Sequence, residues 1–345
     1  FPLRTDIAGR AWKPNEPDQQ VTQKRPAAAW GWADDARKLI APQAGNVLAD
    51  RYATDEMVQI WSEEWRVLLE REFWIAVLKA QKEQWIEGID DELISKFEAV
   101  KSDIGMDKIL RVERETRHDI KARIQIFCEL AWVEWIHKGM TSRDLSENME
   151  QFQTMKSMEL VASKGATVLL RLSEHAAEWR DLVISARTHN VAAQPTTLGR
   201  RVAMFWEEFL LACEDLKLLI ERYPLRGLKW AVATWLDQLT LLDGDLVKFE
   251  GLESAVAEHL GFQSRLTNPG QVYPRSLDVR VANCVFNLSA ALSNFATTLR
   301  LMAGNETASE WFKPWQVWSS AMPHKMNSRS SERLWWFHTT INGFQ

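Results

Sequence analysis

The chain has 345 residues, with 42 Lys and Arg against 47 Asp and Glu, for a formal net charge of −5. That length can bury a substantial core in two or three domains. Both signs of charge are mixed along the chain, which excludes a general binder of nucleic acid or acidic membrane, so any anion site has to be local.

Residues 1–45 carry five of the eleven prolines and little periodicity, which predicts an extended N-terminal arm or partner-binding tail. From 46 to 139 the pattern turns helical in medium-length pieces such as "DEMVQIWSEEWRVLLEREFWIAVLKAQKEQ", predicting a small helical N-terminal domain. Residues 140–345 change character: three segments hold apolar residues at alternating spacings of three and four over unusual lengths. One seam runs Val161, Val168, Leu172, Trp179, Val183; a second Val202, Trp206, Phe209, Cys213, Leu216, Ile220; the third Leu277, Val281, Cys284, Leu288, Leu292, Phe295, Leu299, Met302. Such stripes predict long helices packed as a bundle.

Boundary residues agree with that pattern. "RYPLRG" ends the second long helix at Pro224, Ser276 followed by Asp278 opens the third, and Gly304 closes it. No alternating strand pattern of any length appears, apart from short pieces near Lys229–Thr234, so the predicted fold class is all-α. No apolar run is long enough to span a membrane and no hydrophobic leader is read, making the cytosol the expected compartment, with an organelle matrix as the alternative. Cys128, Cys213 and Cys284 are far apart, each in an apolar helical pattern, and read as buried reduced thiols.

Three polar islands interrupt the helical text: "ETRHDIKAR" with "IHKGMTSRDLSEN", then "ARTHNVAAQPTTLGRR", then "VWSSAMPHKMNSRSSERLWW". Each sits at the end of a long helical pattern, where free backbone N–H groups and cations can hold an anion. Singly the signals are weak: a histidine such as His118 or His137 near a helix start is more often a structural hydrogen bonder, and His175, His259 and His338 lie in amphipathic helices. Histidine spacing offers no zinc pair, and no Gly-rich phosphate loop exists, so neither a metal nor another cofactor is expected. Together, however, the islands supply a general base, a general acid and anion clamps.

"SSAMPHKMN" resembles the signature loop of the fumarase and aspartase superfamily. "ETRHDI", "IHKGMTSRDLSEN", "RTHNVAAQPTTLGRR" and "GQVYPRSLD" are similar to the adenylosuccinate lyase family in order and spacing, from about Asp50 onward. The resemblance implies a helical homotetramer with active sites shared between subunits. It also implies a cofactor-free β-elimination of fumarate from adenylosuccinate and from the succinylated carboxamide ribotide of purine synthesis. The partner is then an anionic purine nucleotide.

Carried over by position, the resemblance makes Ser319 the base, His189 the acid and His118 the second catalytic histidine. Thr141 and Ser142 match the succinyl-binding pair; Lys325 and Asn327 match carboxylate contacts; His137 and Gln194 match other substrate contacts. Arg117 and Asp119, flanking His118, join them, as do Arg275 and Ser276. Arg51 and Tyr52 match the phosphate-binding start, and Ser331 and Arg333 phosphate contacts after the loop. Arg329 stands one position from where some members have an arginine, and a helix starting near Ser328 would set it one turn from Arg333.

The sequence also departs from the family. It has 18 Trp beside 15 Gly, and Trp132, Trp230, Ala233, Trp311, Trp315 and Trp318 stand where the family has glycine. An indole forbids close approaches that glycine permits, so these residues are expected to fill or open the cleft, or to pack in a rearranged interface. The glutamine the family places just after Thr234 is replaced by the Trp235–Leu236 region. Family chains also continue past Gln345, so the C-terminal part of the family fold reads as missing. These departures support two alternatives: a lyase-derived structural or regulatory subunit of a larger complex, or a lyase with a different amine leaving group.

Overall fold

Side-chain caps start the first helices. Asn46 accepts from the N–H groups of Leu48 and Ala49 ahead of α1 (Val47–Tyr52), and α2 (Asp55–Ile60) follows Thr54. Ser62 accepts from Trp65 N–H ahead of α3 (Glu63–Glu83), and Asp90 from Leu93 N–H ahead of α4 (Asp91–Val100). Each oxygen satisfies a backbone donor that the helix itself leaves free. In the computed structural model the described residues are 46–310, 312, 319, 321, 322 and 324–344. The expected arm 1–45 and Trp311, Trp315 and Trp318 lie outside them.

The remaining elements are α5 (Met106–Thr116), α6 (Asp119–Ala131), α7 (Ser142–Glu178), β1 (Val183–Thr188), β2 (Val191–Thr197), α8 (Leu198–Arg222), α9 (Leu236–Leu241), α10 (Leu246–His259), α11 (Ser276–Gly304) and α12 (Arg329–Asn342). The helical fold with long central helices is as the sequence predicts: α7, α8 and α11 hold 37, 25 and 29 residues. Among the described residues no helix is long and apolar enough to cross a membrane.

The described chain divides into two compact units, one of residues 46–160 and 220–275, the other of residues 161–219 and 276–344. In the first, α3 packs on α10 and α4, and α6 packs on α4 and α5. Its core includes Phe73, Trp74, Phe97, Phe127, Leu145 and Met149. Arg71 is fully buried there because four backbone oxygens accept from it: those of Val100, Lys101 and Asp103 at Nη1 and that of Ile104 at Nη2, at 2.8–3.2 Å. Burial still lowers its pKa to about 10.

In the second unit α11 packs on α12. The buried stripe of α8 is Val202, Phe205, Phe209, Ala212, Leu216 and Leu219. It shares Val202, Phe209 and Leu216 with the predicted seam and is turned toward Phe205, whose ring meets Phe295 edge-on at 5.4 Å.

Two local expectations are corrected. The seam from Val161 to Val183 is not one helix: α7 stops at Glu178, and Val183 begins an antiparallel hairpin in which Thr188 pairs with Val191. His189 and Asn190 form its two-residue turn, both with left-handed backbones, φ 48° and 63°. That is the conformation a tight type I′ turn demands. Residues 229–234 are not a strand; only an isolated bridge between Leu225 and Arg265 lies nearby.

Candidate active site

In the unit of residues 46–160 and 220–275, the first polar island folds around Asp144. This fully buried carboxylate accepts from Thr141 N–H at 2.9 Å, Lys229 N–H at 2.8 Å, Trp230 N–H at 2.9 Å and Arg226 Nη1 at 2.6 Å. Asn148 clasps the same turn, donating to Gly227 O and accepting from Gly227 N–H. The turn between Met140 and α7, with Thr141 and Ser142, is therefore held by residues distant in the chain.

His118 caps α6, its Nδ1 accepting from Lys121 N–H at 3.3 Å, and the same atom lies 3.5 Å from Asp119 Oδ1. The two contacts need opposite states of Nδ1: a lone pair for the cap, a proton for the ion pair. Arg117, just before it, has a left-handed backbone, φ 54°. His137 does too, φ 68°, and its Nδ1 accepts from Trp74 Nε1 at 3.1 Å. Burial, opposed by Asp144 and reinforced by His118 and Lys121, pushes the pKa of His137 down to about 4. His137, His118 and Asp144 thus share one electrostatic neighbourhood.

Other candidates of this unit stand apart from that cluster. Arg51 and Tyr52 are exposed at the end of α1, the guanidinium 5.7 Å from the Tyr52 ring centre. Arg275 lies over Tyr273 and reaches both oxygens of the buried Glu147 at 3.2 Å. An open depression of about 1050 Å³, lined by Lys121, Lys138 and Trp132 among others, holds none of the candidates.

The unit of residues 161–219 and 276–344 carries the other two islands. His189 is exposed at the hairpin tip, where Arg187 Nη1 donates to Asn190 O at 2.8 Å, and Gln194 is exposed on β2. Gly199, the second residue of α8, lies against the end of α7; a Cβ there would clash with Ala176 O, so the close approach excludes a side chain. Ser276 opens α11 and is exposed.

Ser319 Oγ accepts from Met322 N–H at 3.0 Å, and Lys325 is exposed beyond that turn. Asn327 O accepts from Arg329 N–H at 2.9 Å. α12 starts at Arg329, which sets Arg329 and Arg333 one turn apart, both exposed. Ser331 is buried, and Glu310 Oε1 accepts from both its N–H and its hydroxyl. Among the described residues no hydrogen bond joins His189 to Ser319.

Several residues that matter locally carry no separate sequence signal: Trp74, Asp144, Arg226, Gln238 and Glu310. Gln238 is buried and donates to Lys138 O and Gly139 O at 3.2 and 2.9 Å. At three of the positions where the resemblance leads one to expect glycine the backbone is left-handed: Trp132, Trp230 and Ala233 have φ of 56°, 62° and 58°. Trp132 is 93% exposed and so fills no cleft within this chain.

A family profile described as "Lyase" matches residues 50–343, most of the chain. The chain belongs to the lyase family. The chain is 34% identical to an adenylosuccinate lyase of Schistosoma mansoni over 84% of its own length and 60% of the relative's. It is 31% identical to the adenylosuccinate lyase of Schizosaccharomyces pombe over 83% of its length and 60% of that relative's. The chain thus spans about 60% of the length of these two relatives. Its fold resembles the 3-carboxy-cis,cis-muconate lactonizing enzyme of Pseudomonas putida, with a TM-score of 0.72 at 20% identity, covering 86% of this chain and 66% of that one. A fumarate lyase of Mesorhizobium sp. BNC1 is similar too, with a TM-score of 0.69 at 17% identity over 88% and 66% of the two chains.

Proposed function

We propose that this lyase eliminates fumarate from adenylosuccinate, and from the succinylated carboxamide ribotide, as a homotetramer with shared active sites in the cytosol or an organelle matrix. The observation that carries the reading is the 34% identity to an adenylosuccinate lyase over 84% of this chain, beside a family profile whose match, residues 50–343, contains every proposed site residue.

In this reading Ser319 takes the proton from the carbon beside a succinyl carboxylate. The C–H electron pair becomes the new C=C bond, the C–N pair leaves onto nitrogen, and His189 protonates that nitrogen. A serine is a poor base in water, so donors must stabilise both its alkoxide and the charge developing on the carboxylate. Lys325 and Asn327 are assigned to that carboxylate, and Thr141 and Ser142 to the succinyl group. Arg51, Tyr52, Ser331 and Arg333 are assigned to phosphate, with Arg329 beside them. His118, Arg117, Asp119, His137, Gln194, Arg275 and Ser276 complete the set.

Subunit sharing gives a reason why His189 and Ser319 need not bond within one chain. The test is loss of the ultraviolet band of adenylosuccinate on incubation with purified protein. Turnover well above that of Ser319→Ala is expected; no turnover above that variant in a tetrameric sample overturns the reading.

A further inference from the structure

We propose that Trp74 is a positioning residue whose indole N–H fixes His137 in the tautomer carrying its proton on Nε2, so that His137 meets the substrate as a neutral hydrogen-bond donor. The substrate half of this inference rests on the proposed function; the tautomer half does not.

An indole nitrogen can only donate. With Trp74 Nε1 3.1 Å from His137 Nδ1, Nδ1 must present its lone pair, and a neutral imidazole then has its proton on Nε2. The donor is well held. Trp74 is 1% exposed on α3, its ring packs on Phe127 at 6.1 Å between centres, and Phe127 packs on Phe97 at 5.0 Å. The indole and imidazole planes stand at 79°, edge to face. Turning the indole away would open the centre of this core.

The acceptor is held as firmly. His137 keeps a left-handed backbone, a conformation retained where the surroundings enforce it. Met140 N–H closes the turn on His137 O at 3.3 Å, and Gln238 ties the following two carbonyls. Among the described residues no group hydrogen-bonds Nε2.

A second proton would have to enter at Nδ1, where an N–H already points. Of the charged groups acting on the ring, Asp144 favours that proton, while His118 and Lys121 oppose it together with burial. The free edge of His137 therefore presents one donor and no acceptor. It can hold an oxygen of an anionic substrate but cannot take a proton, which leaves the base role to another residue.

The tautomer is read directly from imidazole nitrogen shifts of the 15N-histidine-labelled full chain at neutral pH, with His137→Asn assigning the resonance. A protonated Nε2 and an unprotonated Nδ1 are expected in the wild type, shifting toward a tautomer mixture in Trp74→Phe. A protonated Nδ1 or an imidazolium in the wild type overturns the proposal, and that measurement stands even if Trp74→Phe does not fold. Kinetically, Trp74→Phe is expected to raise KM for adenylosuccinate about tenfold with kcat little changed. In a His137→Gln background, whose amide donor has no tautomer, Trp74→Phe is expected to leave KM unchanged. The expected tautomer with an unchanged KM in Trp74→Phe overturns the positioning role. A wild type with the expected tautomer and no turnover overturns the lyase reading and leaves the tautomer intact.

Discussion

Glu310 and Ser331 stand 21 positions apart, yet Glu310 Oε1 accepts from the Ser331 N–H at 2.6 Å and from its hydroxyl at 2.7 Å. Oε2 accepts from Ser330 N–H at 3.1 Å. Both partners are buried, at 7% and 3% exposure. The carboxylate occupies the anion-binding N-terminus of α12 and joins the two ends of the segment bearing Ser319, Lys325 and Asn327. Glu310→Ala is expected to lose about 2 kcal/mol, the cost of orphaning buried donors, and to lower turnover. Urea unfolding and the adenylosuccinate assay check the two effects. Ser331 can reach a phosphate only if this carboxylate yields its place.

Trp132→Gly should stabilise the protein. The indole is 93% exposed, so its removal forfeits little burial, whereas φ 56° is a strained conformation for any residue with a Cβ. Relief of about 1 kcal/mol is expected, seen as a higher urea midpoint with an unchanged slope.

Asp144→Ala should be among the most damaging single changes. It leaves Arg226 charged and fully buried without its carboxylate, and frees the Thr141, Lys229 and Trp230 amides. A loss of about 3 to 5 kcal/mol is expected. Adding Arg226→Met should recover part of it, because the unpaired charge is gone; equilibrium unfolding of the single and double variants gives the coupling.

The depressed pKa of His137 sets a pH dependence with a definite sign. The folded ring takes its proton near 4, the unfolded ring near the ordinary 6.5. Between those values the unfolded chain binds more protons, so this residue's contribution is full above about 6.5 and is lost as pH falls through 4. Glu70 and Glu253, whose pKa values burial raises, act in the opposite direction, so the signal is a difference. The stability of the wild type minus that of His137→Asn should therefore rise with pH across that window, as paired urea-unfolding series read it.

The hairpin was illegible in "ARTHNVAAQPTTLGRR" because its strands are short and largely exposed, and an alternating pattern exists only where one face is buried. His189 stood out as a polar residue in an island, but its place at a two-residue turn depends on Val183–Thr188 pairing with Val191–Thr197. In α8 the period was legible and the phase was not: either side of the same stripe satisfies the spacing, and the contact with Phe295 selects Phe205.

By itself the sequence determined the helical class, the end of α8 and both ends of α11, and it marked the polar islands, because caps, prolines and three-four spacing act within a few residues. Glycine's absence at Trp132 and Trp230 was likewise visible in the text, although that the backbone keeps a left-handed turn there was not. Tertiary structure alone decided what holds the candidates in place. Asp144 meets Arg226 across 82 positions and Trp74 meets His137 across 63, and no local pattern encodes which buried donor finds which acceptor. Removal from water makes those pairings obligatory, and only the folded chain shows where water is absent.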